Sequence, residues 1–194
     1  MKAINYISFL LLITLKTPAQ NVMTSSPYSM FGIGELESGL YGQNAGMGGV
    51  AYGMRNNMLI NIENPAGLTA LDNKRLLTDL SIFVKNEFYT SGNKSNKAFT
   101  GSFSGLVFGG RIIPRWYMAA SLTPYSSVGY YFQSIQPIEG NPHENYTSTF
   151  TGSGGVSKVS LSNAYLLSQH WSLGLNLCYL FGDIVQTERQ GSLT

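Results

Sequence analysis

The chain has 194 residues, a net charge of +2 from 12 Lys and Arg against 10 Asp and Glu, and only 11% charged residues. Soluble domains average about 25%, and so slight a basic excess gives no electrostatic footprint for nucleic acid. One cysteine, Cys178, excludes an internal disulfide framework.

The chain opens like an export signal. Lys2 is a basic start, Ile7 to Leu15 are apolar, and Thr17-Pro18-Ala19 supplies small residues for cleavage. A spanning helix needs about 20 apolar residues, so residues 1–19 read as a signal peptide rather than an uncleaved anchor. No later segment is apolar enough to cross a membrane as a helix. An exported chain with 22 Gly, 12 Tyr and little charge points to an outer-membrane β-barrel. The competing reading is a soluble secreted β-sandwich.

Residues 20–75 are a Gly-rich, partly helical prelude. "GQNAGMGGVAYG" (42–53) is followed by Asn64-Pro65-Ala66, which reads as a helix start. Asn64 is the expected side-chain cap, Pro65 suits the first helical position, and the helix runs to Leu71.

Residues 76–194 read as strands. Leu80, Ile82, Val84 and Phe88 alternate with Asp79, Ser81, Lys85 and Glu87. "SGNKSNK" (91–97) is an expected loop, and a Gly- and Phe-rich strand covers 98–112. A tight turn at 113–115 leads into 116–132, where Trp116, Met118, Leu122, Val128, Tyr130 and Phe132 are expected on one face. "QSIQPIEGNPHEN" (133–145) reads as a long polar loop. The next strand, 146–167, is expected to break at "GSGG" (152–155), and a tight turn at 168–170 precedes the last. There Leu173, Leu175, Leu177 and Tyr179 alternate with Ser172, Gly174, Asn176 and Cys178. Connections that alternate long and short fit a barrel with loops on one side and turns on the other. Trp116 and Trp171 each follow a short turn, where an aromatic girdle belongs. The pattern yields five strands, whereas the smallest barrels close with about eight, so 76–194 read as the first strands of a longer barrel.

"NAGMGGVAYGMRNNMLINIENPAGLTAL" (44–71) resembles the N-terminal plug of the FadL/TodX family of outer-membrane transporters, which carries an Asn-Pro-Ala motif in a hatch inside the barrel. "SSPYSMFGIGEL" and "GSGGVSKVSLSNAYLLSQHWSLGLNLCYLFGDI" resemble FadL-like proteins of Bacteroidetes, including the PorV-type branch. The resemblance implies a hatch over 20–75 with motif residues Asn64, Pro65 and Ala66. Its glycines, Gly46, Gly48, Gly49 and Gly53, would serve tight turns and close packing. It also implies passive transport of a hydrophobic small-molecule ligand such as a fatty acid or hydrocarbon, and a Gram-negative outer membrane with its lipid as partner. A wall kink for sideways release is expected at Pro124, or at Gly152, Gly154 and Gly155. The alternatives are a PorV-like partner of type IX secretion proteins and a soluble sandwich adhesin. No catalytic residue, metal site or cofactor is expected. "GMGGVA" lacks a βαβ frame, His143 and His170 lack partners at ligand spacing, and no nucleophile motif occurs.

Overall fold

The computed structural model describes residues 26–37, 39, 41–71, 76–91, 94–138 and 141–192. The expected signal peptide, 1–19, lies outside them. The fold is all-β. A short strand β1 (Glu35–Leu36) and a helix α1 (Gly42–Gly46) precede five long strands. These are β2 (Leu76–Ser91), β3 (Lys94–Ile113), β4 (Trp116–Ile138), β5 (Asn141–Leu166) and β6 (Ser172–Ser192). Two 3-10 turns, Pro27–Met30 and Pro65–Ala70, complete the elements. The long strands form an antiparallel meander in chain order, with β1 added beside β4. Among the described residues β2 and β6 do not meet, so the sheet is open.

The strands are longer than the hydrophobic pattern predicts. Residues expected in the loops 91–97 and 133–145 belong largely to ladders, with Ser91 opposite Lys94, Gln136 opposite Tyr146 and Pro137 opposite Asn145. The long–short rhythm of connections is therefore absent. An antiparallel ladder satisfies backbone groups whatever the side chains are, so a hairpin can run on through Ser, Asn and Lys. Alternation reports only the part of a strand with one face buried. The expected break at 152–155 is absent too. Gly152 to Gly155 pair continuously with β4 and β6.

One face of the sheet is covered by the segment 26–71. It buries Val107, Tyr117, Ala119 and Ala164 against Tyr41, Ile60, Ile62, Leu68 and Leu71, which together form the apolar core. Around that core the covered positions are small hydroxyls, among them Ser102, Ser121, Thr123, Ser160 and Ser162. The opposite face is bare and apolar, with Leu80, Ile82, Phe99, Leu175, Leu177 and Tyr179 all exposed.

Bulges decide which residues reach which face. Ser104 is the extra residue where β3 passes from Gly105 opposite Ser81 to Phe103 opposite Ile82. This places Phe103 and Leu106 on the same side although three residues separate them. In β4, Tyr125 is skipped between Pro124, opposite Ser157, and Ser126, opposite Val156. A one-residue slip exchanges the faces. Val128, Tyr130 and Phe132 therefore leave the face of Trp116, where alternation had put them. Tyr130 is 8% exposed and Tyr131 68%. In a Cys178→Ser background, cysteine at Val128 or Tyr130 should resist maleimide, and cysteine at Tyr131 or Ile135 should label quickly. Equal labelling at 130 and 131 would contradict the inversion.

Candidate interaction site: the N-terminal segment and the β3–β4 seam

The covering segment is organised by two buried polar side chains. The Tyr41 hydroxyl donates to the carbonyl of Ile60 at 2.8 Å and accepts the N–H of Ile62 at 3.2 Å. Burial pushes its pKa up to about 12, against the lowering effect of the Ile62 N–H and with smaller raising effects from Glu63 and Asp79. Asn61 is 2% exposed. Its amide donates to the carbonyls of Ala51 and Met54, and its oxygen accepts the N–H groups of Glu63 and Asn64. It thus ties the Gly-rich stretch to the Pro65 turn. The available signal was the Asx-turn habit of Asn, whose side chain accepts from N–H groups two and three residues on.

The expected cap is not made. Pro65–Ala70 is a 3-10 turn, and Asn64 makes no side-chain cap bond. Its own carbonyl accepts the Gly67 N–H at 2.9 Å, which leaves its side chain to reach the Tyr52 carbonyl at 2.6 Å. Pro65 and Ala66 instead dock on the sheet at Gly174, where any Cβ would collide with their backbone. Thr69 and Ser172 share a hydrogen bond of 3.0 Å, Arg55 bonds both, and Asn176 donates to the Ile62 carbonyl at 2.6 Å. Gly48 and Gly49 turn the chain after α1 with φ of 67° and 86°. Gly46 and Gly53 face open space, and a Cβ added at either would meet nothing within 4 Å.

Further along the sheet the wall divides. The β3–β4 ladder ends at Leu106 opposite Leu122. Two residues on, Pro124 has no N–H to give, and Tyr125 bulges. From there β4 takes residues 26–37 as its neighbour. Glu35 and Leu36 pair with Ser127 and Ser126. The Glu37 N–H donates to the Tyr125 carbonyl at 2.9 Å, and the Gly129 N–H to Ser29 Oγ at 3.1 Å. Ser126 Oγ donates to the Ile33 carbonyl at 2.7 Å, and Ser127 Oγ to Glu37 Oε1 at 2.8 Å. Gly34, at φ 91°, lies so close to Ser127 and Val128 that only glycine fits. Across the division, Lys94 to Phe103 and Gly105 of β3 have ladder partners in β2 and none in β4. A cavity of about 690 Å³ separates the two sides, lined by Leu36, Tyr41, Asp79, Phe83, Ser104 and Pro124.

The other residues singled out in the sequence fall around this frame. Gly152 lies under the Tyr130 ring, Gly155 against Ser126, and Gly154, at φ 113°, against Asp183 of β6. All three stand opposite the β4 segment that the N-terminal residues line. Trp116 and Trp171 lie at the same end of the sheet, beside the turns 114–115 and 167–171, with β5 between their strands. His170 is exposed, and Cys178 Sγ is 3.4 Å from Ser160 Oγ. Among the described residues no three His, Cys, Asp or Glu side chains gather as a metal ion requires. The arrangement is suited to packing and strand addition.

Asn61→Ala strands several buried backbone groups, at a cost of about 1–3 kcal/mol. Asn64→Ala removes one exposed bond and should cost about 0.5 kcal/mol or less. Trypsin cleavage at Arg55 reads the opening of this segment, and should accelerate strongly in the first variant and little in the second. Tyr41 adds a pH dependence. A phenol whose pKa rises on folding holds its proton more tightly when folded, so its contribution is whole below about pH 10 and is lost as pH climbs toward 12. Cleavage at Arg55 should accelerate over that window, and Tyr41→Phe should remove the Tyr41 share of the acceleration.

A family model described as BamG matches residues 1–192. No curated protein and no solved structure matches the chain. The match overturns the FadL/TodX resemblance and the transport of hydrophobic compounds inferred from it, because BamG is a family of BAM complex components. Nor does it support the PorV-like secretion role or the sandwich adhesin. The physical reason is visible in the residues that carried the resemblance. Turn glycines and a Pro-led 3-10 turn docked on Gly174 describe how a segment packs on a sheet. They specify no ligand. The family is associated with the outer-membrane machinery, and with nearly every residue of the chain matched, the chain belongs to the BamG family.

Proposed function

We propose that this protein is a non-catalytic, membrane-embedded component of the BAM complex, and that its five long strands are part of an outer-membrane barrel wall. The observation that carries the assignment is the family match over 1–192. The two faces of the sheet support the placement in a membrane. On β6 the bare positions are apolar from Leu173 to Phe181, and beyond them polar at Asp183, Thr187 and Arg189 with Val185 among them. At about 3.3 Å per residue and a tilt of about 40°, that apolar run is about 20–25 Å tall, the height of a lipid-facing band. The upper parts of β4, β5 and β6 then stand outside the bilayer.

In this reading the segment 26–71 is a hatch on the lumen side, held by a small apolar core within a field of hydroxyls. The partners are other BAM complex proteins, and no substrate turnover is assigned to the chain.

Tagged full-length protein, extracted in mild detergent, should copurify with other BAM complex proteins, and its depletion should lower the amount of other barrels in the outer membrane. Solitary purification together with normal barrel levels on depletion would overturn the assignment. Leu175→Arg should cost about 2–4 kcal/mol on folding into bilayers if it lies near the midplane, and Thr187→Arg much less. Equal costs would contradict the placement of the band.

A further inference from the structure

We infer that the bare face of the sheet carries a site for one glycerophospholipid, in a groove between Trp116 and Leu175 where the Asn163 amide donates a hydrogen bond to an ester carbonyl of the lipid. The inference rests on the reading of the sheet as a membrane wall, and extends it by naming a lipid contact and the residue that makes it. Ladder register sets the place. Asn163 of β5 stands opposite Met118 of β4 and Leu175 of β6. Two residues toward the turns, Tyr165 stands between Trp116 and Leu173. Two residues the other way, Leu161 stands between Ala120 and Leu177. Ser162 and Ala164 are buried under the covering segment, so Asn163, between them in sequence, belongs to the bare face.

An amide is out of keeping with that surface. Asn163 is half-buried, and among the described residues its side chain makes no hydrogen bond. In hydrocarbon such a group is costly unless a neighbour accepts from its N–H groups. A polar side chain at membrane depth therefore marks a contact. The surface beside it is hollow. A groove of about 250 Å³ opens between Ile113, Trp116, Asn163, Tyr165, Leu173 and Leu175, and Asn163 is the one side chain in it that is neither apolar nor aromatic.

Depth specifies the occupant. At about 3.3 Å per residue and a tilt of about 40°, two residues carry Asn163 about 5 Å from the level of Trp116 and Tyr165 into the apolar band. Aromatic residues at the edge of such a band lie level with the lipid headgroups. Just inward of them the acyl chains join the glycerol through ester carbonyls, which accept hydrogen bonds and have none to give. The Asn163 amide offers two N–H donors. An acyl chain suits the apolar walls of the groove, and the carbonyl at its head meets the donor. A protein strand in the same place would bring carbonyls already used in its own ladders.

The test compares two lipids on the full-length protein in mild detergent, read by native mass spectrometry. One is dioleoyl phosphatidylethanolamine, and the other is its diether analogue, which has the same headgroup and chain length but no ester carbonyl. Wild-type protein should retain one molecule of the diester about fivefold better than the diether, the worth of one hydrogen bond. Asn163→Leu continues the apolar face, and should lower retention of the diester to that of the diether. Trp116→Ala opens the groove and should weaken both lipids alike. Wild-type protein that makes no distinction between the lipids would overturn the inference without any variant. So would an Asn163→Leu protein that keeps the distinction, or undiminished retention by Trp116→Ala. A photoreactive side chain at Leu173 should capture lipid in native membranes, and capture of another protein in its place would also overturn the inference. Phase separation in a clouding detergent keeps two failures apart. Protein that enters the detergent-rich phase without distinguishing the lipids refutes the lipid site and leaves the membrane assignment standing. Protein that stays in the aqueous phase and retains neither lipid removes both.

Discussion

The structure depends on the backbone edge of β4 between Tyr125 and Gly129. A strand in a wall must pair on both sides or leave N–H and C=O groups open. β3 serves this edge only as far as Leu122. Pro124 then withholds a donor and Tyr125 shifts the register, and the edge beyond is served by residues 29 to 37 through paired backbone and the hydroxyls of Ser29, Ser126 and Ser127. The N-terminal segment is thus part of the sheet as well as a cover over one of its faces. The rest follows from where this contact anchors it. α1 lies near Asp79 and Ser81, the Asn61 hub sits under the sheet, and the Pro65 turn rests on Gly174.

The balance of forces in the covering segment suits a part that holds a defined position without being fused to the sheet. Its fully apolar contact is confined to a few side chains around Leu68, Tyr41 and Val107. Complete burial of one such side chain contributes about 1.5–3 kcal/mol, and Ser29, Ser126 and Ser127 add directional bonds of about 1 kcal/mol each. Gly34, Gly42 and Gly174 allow backbone or carboxylate to approach where a Cβ would stand. At Gly34 and Gly174, where the neighbour is backbone, a single methyl group cannot be accommodated without moving the segment.

Much of this architecture was legible in the sequence, and the misses have identifiable causes. The turns near 114 and 168 and the alternation of β6 could be read because the strand stretches beside those turns, up to Leu122 in β4 and Phe181 in β6, keep one apolar face. The polar ladder pairs at Ser91 with Lys94 and Pro137 with Asn145 could not, since ladder pairing leaves no trace in hydrophobicity. Pro124 reads as a break in a strand, but the face inversion that follows depends on Tyr125 being skipped, which is a fact of register and not of composition. Asn64 reads as a cap because it stands just before a proline at the start of a helical turn. Burial makes Asn61 the hub, and burial is not visible in its residue type. The same limit governed the functional reading. Glycine turns and a capped tripeptide look alike wherever a short segment packs on a strand wall, whether the wall serves a transporter or a BAM component.

The claim on which all of this rests is that residues 29–37, and not β3, lie against β4 beyond Pro124. Disulfide trapping in a Cys178→Ser background tests it most directly. Glu35 and Ser127 are ladder partners, so cysteines at these two positions should oxidise readily and completely in the folded protein. Ser102 and Ser126 would be partners only if the register of Leu106 with Leu122 continued past its observed end, and cysteines there should stay reduced. Rapid closure of the 102–126 pair with an unreactive 35–127 pair would show that β3 zips to β4 and would contradict the account.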